Sequence, residues 1–330
     1  MPDLQVMTLA ALKAMRQTLD LNPEDSVLVI GDAASGACPD AFLAAARAHG
    51  CPADIFRLPE ARRPLTEMPA GMGELLEGRD VVINAIAGRS DEIPFRLQWI
   101  RAVEARDLRM GHSPGIVDDM MEGGALDVDY AVMAATAKRL FDLFADADSV
   151  RITTDAGTDL VLGVAGRPFV SDVHITLTEK GVNLPCGEVY CCPVESRADG
   201  VLVIDGCFGP DGNVSAPATI TCREGRVVGV TSTDPDLTRR IVELMDTDEG
   251  ARNIAELGVG LNPGAALRGN MLEDEKALRT AHVAFGSNEG MPGGQTRSKT
   301  HIDYLFHRPT MVVTRGDGTT VTAMTDGDIA

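Results

Sequence analysis

Apolar positions recur at intervals of three and four near the start of the chain. Residues 4–19, LQVMTLAALKAMRQTL, therefore predict an amphipathic helix. The run Ser26-Val27-Leu28-Val29-Ile30-Gly31 has almost no polar position, and reads as a buried strand ending in a glycine turn. ACPDAFLAAARAHGC follows as a helix with Gly50 as its C-cap, and ADIFRL as the next strand. A helical piece around residues 69–77, the strand and turn GRDVVINAIAG and the helix RLQWIRAVEARDLRMG carry the alternation to about residue 115. Strands that alternate with helices build a parallel sheet covered by helices. Residues 1–125 accordingly read as an N-terminal Rossmann-like α/β domain.

A helix over residues 125–147 comes next, and from Ser149 the period changes. SVRITTDAGTDLVLGVAGRPFVSD, NLPCGEVYCCPVE, GVLVIDGCF, ATITCREGRVVGVTS and TMVVTRGDGTTVTAM are short β-rich pieces separated by turns such as REGR and GDGT. PDLTRRIVELMDT is the helix that interrupts them. Residues 126–330 read as an α+β, β-rich domain, so the fold class is α/β followed by a second, metal-binding domain. The turn after Ile30 is GDAASGA, which lacks the GxGxxG spacing of dinucleotide sites, and reads as an ordinary strand-to-helix turn.

The chain has 330 residues, enough for two domains, and 44% apolar content supports a core. Its 49 acidic and 30 basic residues leave a net charge of −19, which repels nucleic acid and anionic membranes. No apolar run reaches the ~18–20 residues of a membrane span. The seven cysteines are odd in number, and the N-terminal helix does not read as a signal sequence. Reduced thiols in a cytoplasmic protein are the expectation.

Candidate chemistry gathers between Glu256 and Asp303, where Glu256, Glu275, His282, His301 and Asp303 lie among glycines. In a strand, positions i and i+2 share a face, so His301-Ile302-Asp303 aims an imidazole and a carboxylate at one point. A lone His-x-Asp is often only a hydrogen-bonded pair, but His282 in the apolar run AHVAFG adds a further ligand type. Glu188 lies in an apolar stretch with Tyr190 on its own face and Val189 and Cys191 on the other; Glu256 lies beside Leu257 and Val259. A glutamate there is costly unless it is paired or bound to a metal. Mixed imidazole and carboxylate ligands suit zinc, cobalt, manganese or iron.

GTDL, GR, NLPCGEV, AELGVGLNP, DEKALRTAHVAFG and HIDYLF occur in this order over residues 150–315. Together they resemble the M29 metallopeptidases, the aminopeptidase T-like family. The resemblance implies two divalent metals held by Glu188, Glu256, His282, His301 and Asp303. It also implies a homodimer and hydrolysis of a peptide or small-molecule amide. Such a pair of ions activates water and polarises a carbonyl, and Glu256 is the expected bridge or general base. Family members carry a tyrosine soon after the first histidine motif; here that stretch is GSNEGMPGGQ, leaving Tyr190 or Tyr304 as replacements and a smaller or cyclic amide as an alternative substrate. Arg297 and Lys299 are the expected substrate contacts, and Glu275 a residue that orients a ligand histidine.

The second half is also distantly similar to the 2,5-dihydroxypyridine 5,6-dioxygenases, mononuclear Fe(II) ring-cleavage enzymes. The likeness rests on Gly260-Leu261-Asn262-Pro263 and on GGQTRSKTHID. It implies an alternative reading, an Fe(II) dioxygenase acting on a hydroxylated N-heterocycle. In those enzymes a histidine stands at the position of Glu256, and Glu188 and His282 have no counterpart.

Overall fold

The computed structural model describes residues 2–330. They form two compact units that interleave along the chain: 2–132, 172–186 and 263–265 in one, 133–171, 187–262 and 266–330 in the other. The first unit holds a five-stranded parallel sheet in the order Ala53–Arg57, Val27–Gly31, Val81–Ile86, Arg109–Pro114, Gly181–Asn183. The helix Ile93–Glu104 lays Phe95, Trp99 and Val103 on Leu28, Ile30, Val82 and Ile86, which is how the nearly all-apolar strands find a core. Leu4–Thr18 and Cys38–His49 are helices as the pattern predicts, and Gly50 ends the second of them at a φ of 103°.

Two local expectations change. The stretch RLQWIRAVEARDLRMG is not helical throughout: the helix stops at Glu104, Asp107 takes a φ of 58°, and Arg109–Pro114 becomes the fourth strand. Pairing of Met110 with Val82 and of His112 with Asn84 outweighs the local helical composition. The helix expected over residues 125–147 is shorter, Tyr130–Phe144.

The parallel sheet reverses direction of winding between Val27–Gly31 and Val81–Ile86, the place where open α/β sheets receive ligands. Here the protein's own ions lie at the ends of those strands. Arg63 pairs with Asp32 and with both oxygens of Glu92, its Nε donating to Oε1 at 2.8 Å. The backbone amides of Ala87 and Leu65 donate to Asp32 and Glu92 at 2.7 and 2.8 Å.

The second unit contains two antiparallel sheets. One has eight strands, drawn from residues 147–163, 198–204, 218–232 and 310–329. The other has seven, in the order Gly212–Asn213, Cys207–Phe208, His301–His307, Thr280–Gly286, Ile254–Gly260, Glu188–Cys191, Val170–Ser171. The helix Pro235–Met245 begins at Asp234, whose side chain accepts from the amides of Asp236 and Leu237. All seven thiols are buried, and among the described residues none is in a disulfide. No helix among them is long and apolar enough to cross a membrane.

Candidate metal centre

Four neighbouring strands of the seven-stranded sheet carry the candidate ligands. Registers place Glu188 opposite Gly260, Tyr190 opposite Gly258, Gly258 opposite His282, and Ala284 opposite both Glu256 and Asp303. Period-two alternation then puts Glu188, Tyr190, Glu256, His282, His301 and Asp303 on one face. The other face carries Val189, Leu257, Val259, Val283, Phe285 and Tyr304, all buried. Small residues make room for the polar face. A Cβ on Gly258 would lie 2.1 Å from both Cε1 and Nε2 of His282, so this glycine is the floor on which the imidazole rests.

The five side chains converge in two groups that share Glu256: Glu188, Glu256 and His282, and Glu256, His301 and Asp303. His282 Nε2 lies 3.3 Å from Glu256 Oε1 and 3.5 Å from Glu188 Oε2. His301 Nε2 lies 3.2 Å from Glu256 Oε2 and 3.4 Å from Asp303 Oδ1. The two oxygens of Glu256 thus face different histidines. His301 Nδ1 is 2.6 Å from the carbonyl of Ser287, to which it donates, leaving Nε2 turned toward the carboxylates. Glu188, Glu256 and His282 are buried, and the side chain of His301 is 32% exposed.

The electrostatics follow from crowding anions. Burial works against an imidazolium at His282, yet the hydrogen bond to Glu256 and the fields of Asp303 and Glu188 hold its pKa up at about 9. At His301 burial is again outweighed, by Asp303 and Glu256, and the pKa stands well above the ordinary value. Burial raises Glu256 and Asp303, but the two imidazoles hold both carboxyls low. Among the described residues the permanent cation paired with the cluster is Lys276, fully buried, whose ammonium donates to Glu188 and, at 2.6 Å, to Glu275. Four carboxylates against one ammonium leave a surplus of negative charge, and imidazole nitrogens and carboxylate oxygens are donors that divalent cations accept. His282 Nδ1 is buried with no hydrogen-bond partner among the described residues, so the ring's contacts with other polar groups run through Nε2. The donor set fits divalent metal.

The other expected residues have different surroundings. Arg297 is 83% exposed and pairs with Glu289 at 2.7 Å, and Lys299 is exposed with its backbone amide on Asp248. Tyr304 faces away from the ligands, stacked on Phe208 at 5.7 Å and edge-on to Phe285. Tyr190 is the tyrosine on the ligand face. Glu275 accepts from the ammonium of Lys276 at 2.6 Å and lies within the electrostatic reach of His282 and Asp303. Lys276 and Gly258 were not singled out from sequence. A signal for Gly258 existed in the period-two series Glu256, Gly258, Gly260; Lys276, inside DEKALR, had none.

The profile of the thermophilic metalloproteases (M29) matches residues 132–329. Aminopeptidase T of Thermus thermophilus is 30% identical over 171 residues, and aminopeptidase AmpS of Bacillus subtilis 27% over 173. Each alignment spans 46% of this chain and 41% of the curated relative, so less than half of either relative is matched. Among solved structures, 2,5-dihydroxypyridine dioxygenase from Pseudomonas putida KT2440 superposes with a TM-score of 0.76 at 16% identity, covering 99% of this chain and 98% of that one. Wild-type AmpT from Thermus thermophilus does so with a TM-score of 0.74 at 19% identity, covering 99% of each. These two share the fold.

Proposed function

We propose, since the chain belongs to the M29 family of metalloproteases, that it is a two-metal hydrolase of amide bonds, acting on a peptide or on a small or cyclic amide. Glu188, Glu256, His282, His301 and Asp303 hold the two divalent ions, zinc, cobalt or manganese. The observation that carries this reading is the pair of ligand groups that share Glu256, each made of one imidazole and two carboxylates. Bound there, the ions would supply an activated water and a polarised carbonyl. The chain supplies the frame: Glu256 spans the two positions, Ser287 fixes the tautomer and direction of His301, and Gly258 gives His282 its place. The rival Fe(II) dioxygenase calls for two imidazoles and one carboxylate on a single ion. The imidazoles here fall in separate groups, which favours the hydrolase.

Elemental mass spectrometry on protein purified without added metal tests the reading. Two zinc, cobalt or manganese ions per chain are expected. Glu256→Gln should lower hydrolysis of aminoacyl and cyclic amides by more than ~100-fold, since even residues that merely support a ligand cost about 10–100-fold. Full activity of that variant would sink the hydrolase, and one iron per chain with oxygen uptake on hydroxypyridines would establish its rival.

A further inference from the structure

The two ligand groups are matched in composition but not in surroundings. Each has an imidazole, its own carboxylate and a share of Glu256. The carboxylate of the first group, Glu188, is clasped on Oε1 by the ammonium of Lys276, while its Oε2 faces His282. The carboxylate of the second, Asp303, has His301 as its ion-pair partner among the described residues. Lys276 reaches this place because the segment after Met271–Asp274 closes over the sheet at Gly260, where a Cβ would lie 2.1 Å from the carbonyl oxygen of Ala277. The amide of Asn262 donates to the Lys276 carbonyl at 2.8 Å and ties that segment to the strand's end. Gly260 is also the residue in register with Glu188, so the lysine arrives directly beside the ligand.

Resting on the two-metal reading, we infer that Lys276 is a positioning residue that makes the two metal positions unequal. The Glu188–His282 position is the weaker and fills second; the His301–Asp303 position is the tighter and fills first. A cation at the first position shares Glu188 with an ammonium one carboxylate's width away, and like charges repel strongly where water is scarce. That position is also the more buried, with all three of its ligands inside, whereas His301 and Asp303 keep contact with solvent. Lys276 in turn restricts Glu188 to a single oxygen for the metal and directs that oxygen toward His282.

Titration of chelator-stripped protein with Mn²⁺, followed by calorimetry and by electron paramagnetic resonance, tests this without any turnover. Wild type should bind in two steps whose affinities differ by at least ~10-fold. The signal of an isolated ion should appear first and give way to that of a coupled pair. Lys276→Met should tighten the second step by ~10-fold or more and leave the first unchanged, while Lys276→Arg keeps the gap. The double variant E275Q/K276M removes one charge of each sign and serves as the comparison if the single variant does not fold; it should narrow the gap by less than the single variant does. A gap unchanged in both Met variants, or a second step weakened further, would overturn the role of Lys276. Two equal steps in wild type would overturn it as well, while leaving the two-metal reading intact. One ion at saturation in wild type and in the Met variants would instead overturn the two-metal reading.

Discussion

Asp32, Arg63 and Glu92 in the first unit and the carboxylate–imidazole cluster in the second are both largely buried assemblies rich in carboxylate, and they are settled in opposite ways. In the first, a guanidinium meets both carboxylates, with Glu92 bound by two parallel contacts and each anion further held by a backbone amide. The fork of an arginine suits this geometry, and it closes the position at the strand ends where a ligand would enter. In the second, carboxylates outnumber the one lysine, and imidazoles fill the remaining directions. An imidazole can shed its proton and turn a lone pair to a metal; a guanidinium cannot. Burial of acidic side chains by itself marks no function; the kind of cation facing them does.

Breaking the first cluster has the largest expected effect on stability. Arg63→Met strands two buried carboxylates and should cost about 3–5 kcal/mol in denaturant unfolding. A loss below about 1 kcal/mol would show that Arg63 is not what holds Asp32 and Glu92. The next test uses pH, because the carboxylates of the first cluster and the imidazoles of the second titrate with opposite sign. Burial opposes charge on Asp32 and Glu92, but Arg63 and the two amides more than offset it and hold both carboxyls low. Their contribution is therefore present above the ordinary carboxylate range and is lost as pH falls through the lowered values. His282 is raised, so in metal-free protein its contribution is complete below about 6.5 and is lost as pH rises through about 9. The Tm of metal-free protein should fall between those pH values, and that of the metal-loaded protein, whose imidazoles are already neutral, should not. A flat Tm in the metal-free form would contradict the anionic character assigned to this cluster. The smallest effect is expected at Arg297, whose exposed pair with Glu289 is of the kind worth little. Arg297→Ala should shift stability by no more than about 0.5 kcal/mol, and a raised KM with unchanged stability would place it at the substrate.

Much of this was legible in the chain. Runs such as VLVIG and VVINAI, short and rich in β-branched residues, read as buried strands, and the alternation of strand with helix implies the parallel sheet. The expense of glutamate in an apolar strand pointed to Glu188 and Glu256, and the i, i+2 rule put His301 with Asp303 on one face. These are local properties: a side chain's cost of burial and its direction depend on near neighbours in sequence. What came only from tertiary structure depends on which distant segments meet. Arg109–Pro114 is a strand because Val81–Ile86 lies beside it, and Gly181–Asn183 joins the same sheet from far along the chain. Gly258 matters because His282 lies across from it, and Lys276 because a close approach at Gly260 delivers its ammonium to Glu188, eighty-eight residues away. Residue types and their periodicity set the faces and the available chemistry; registers between strands, and the few places where backbone can approach backbone, decided which of those groups touch.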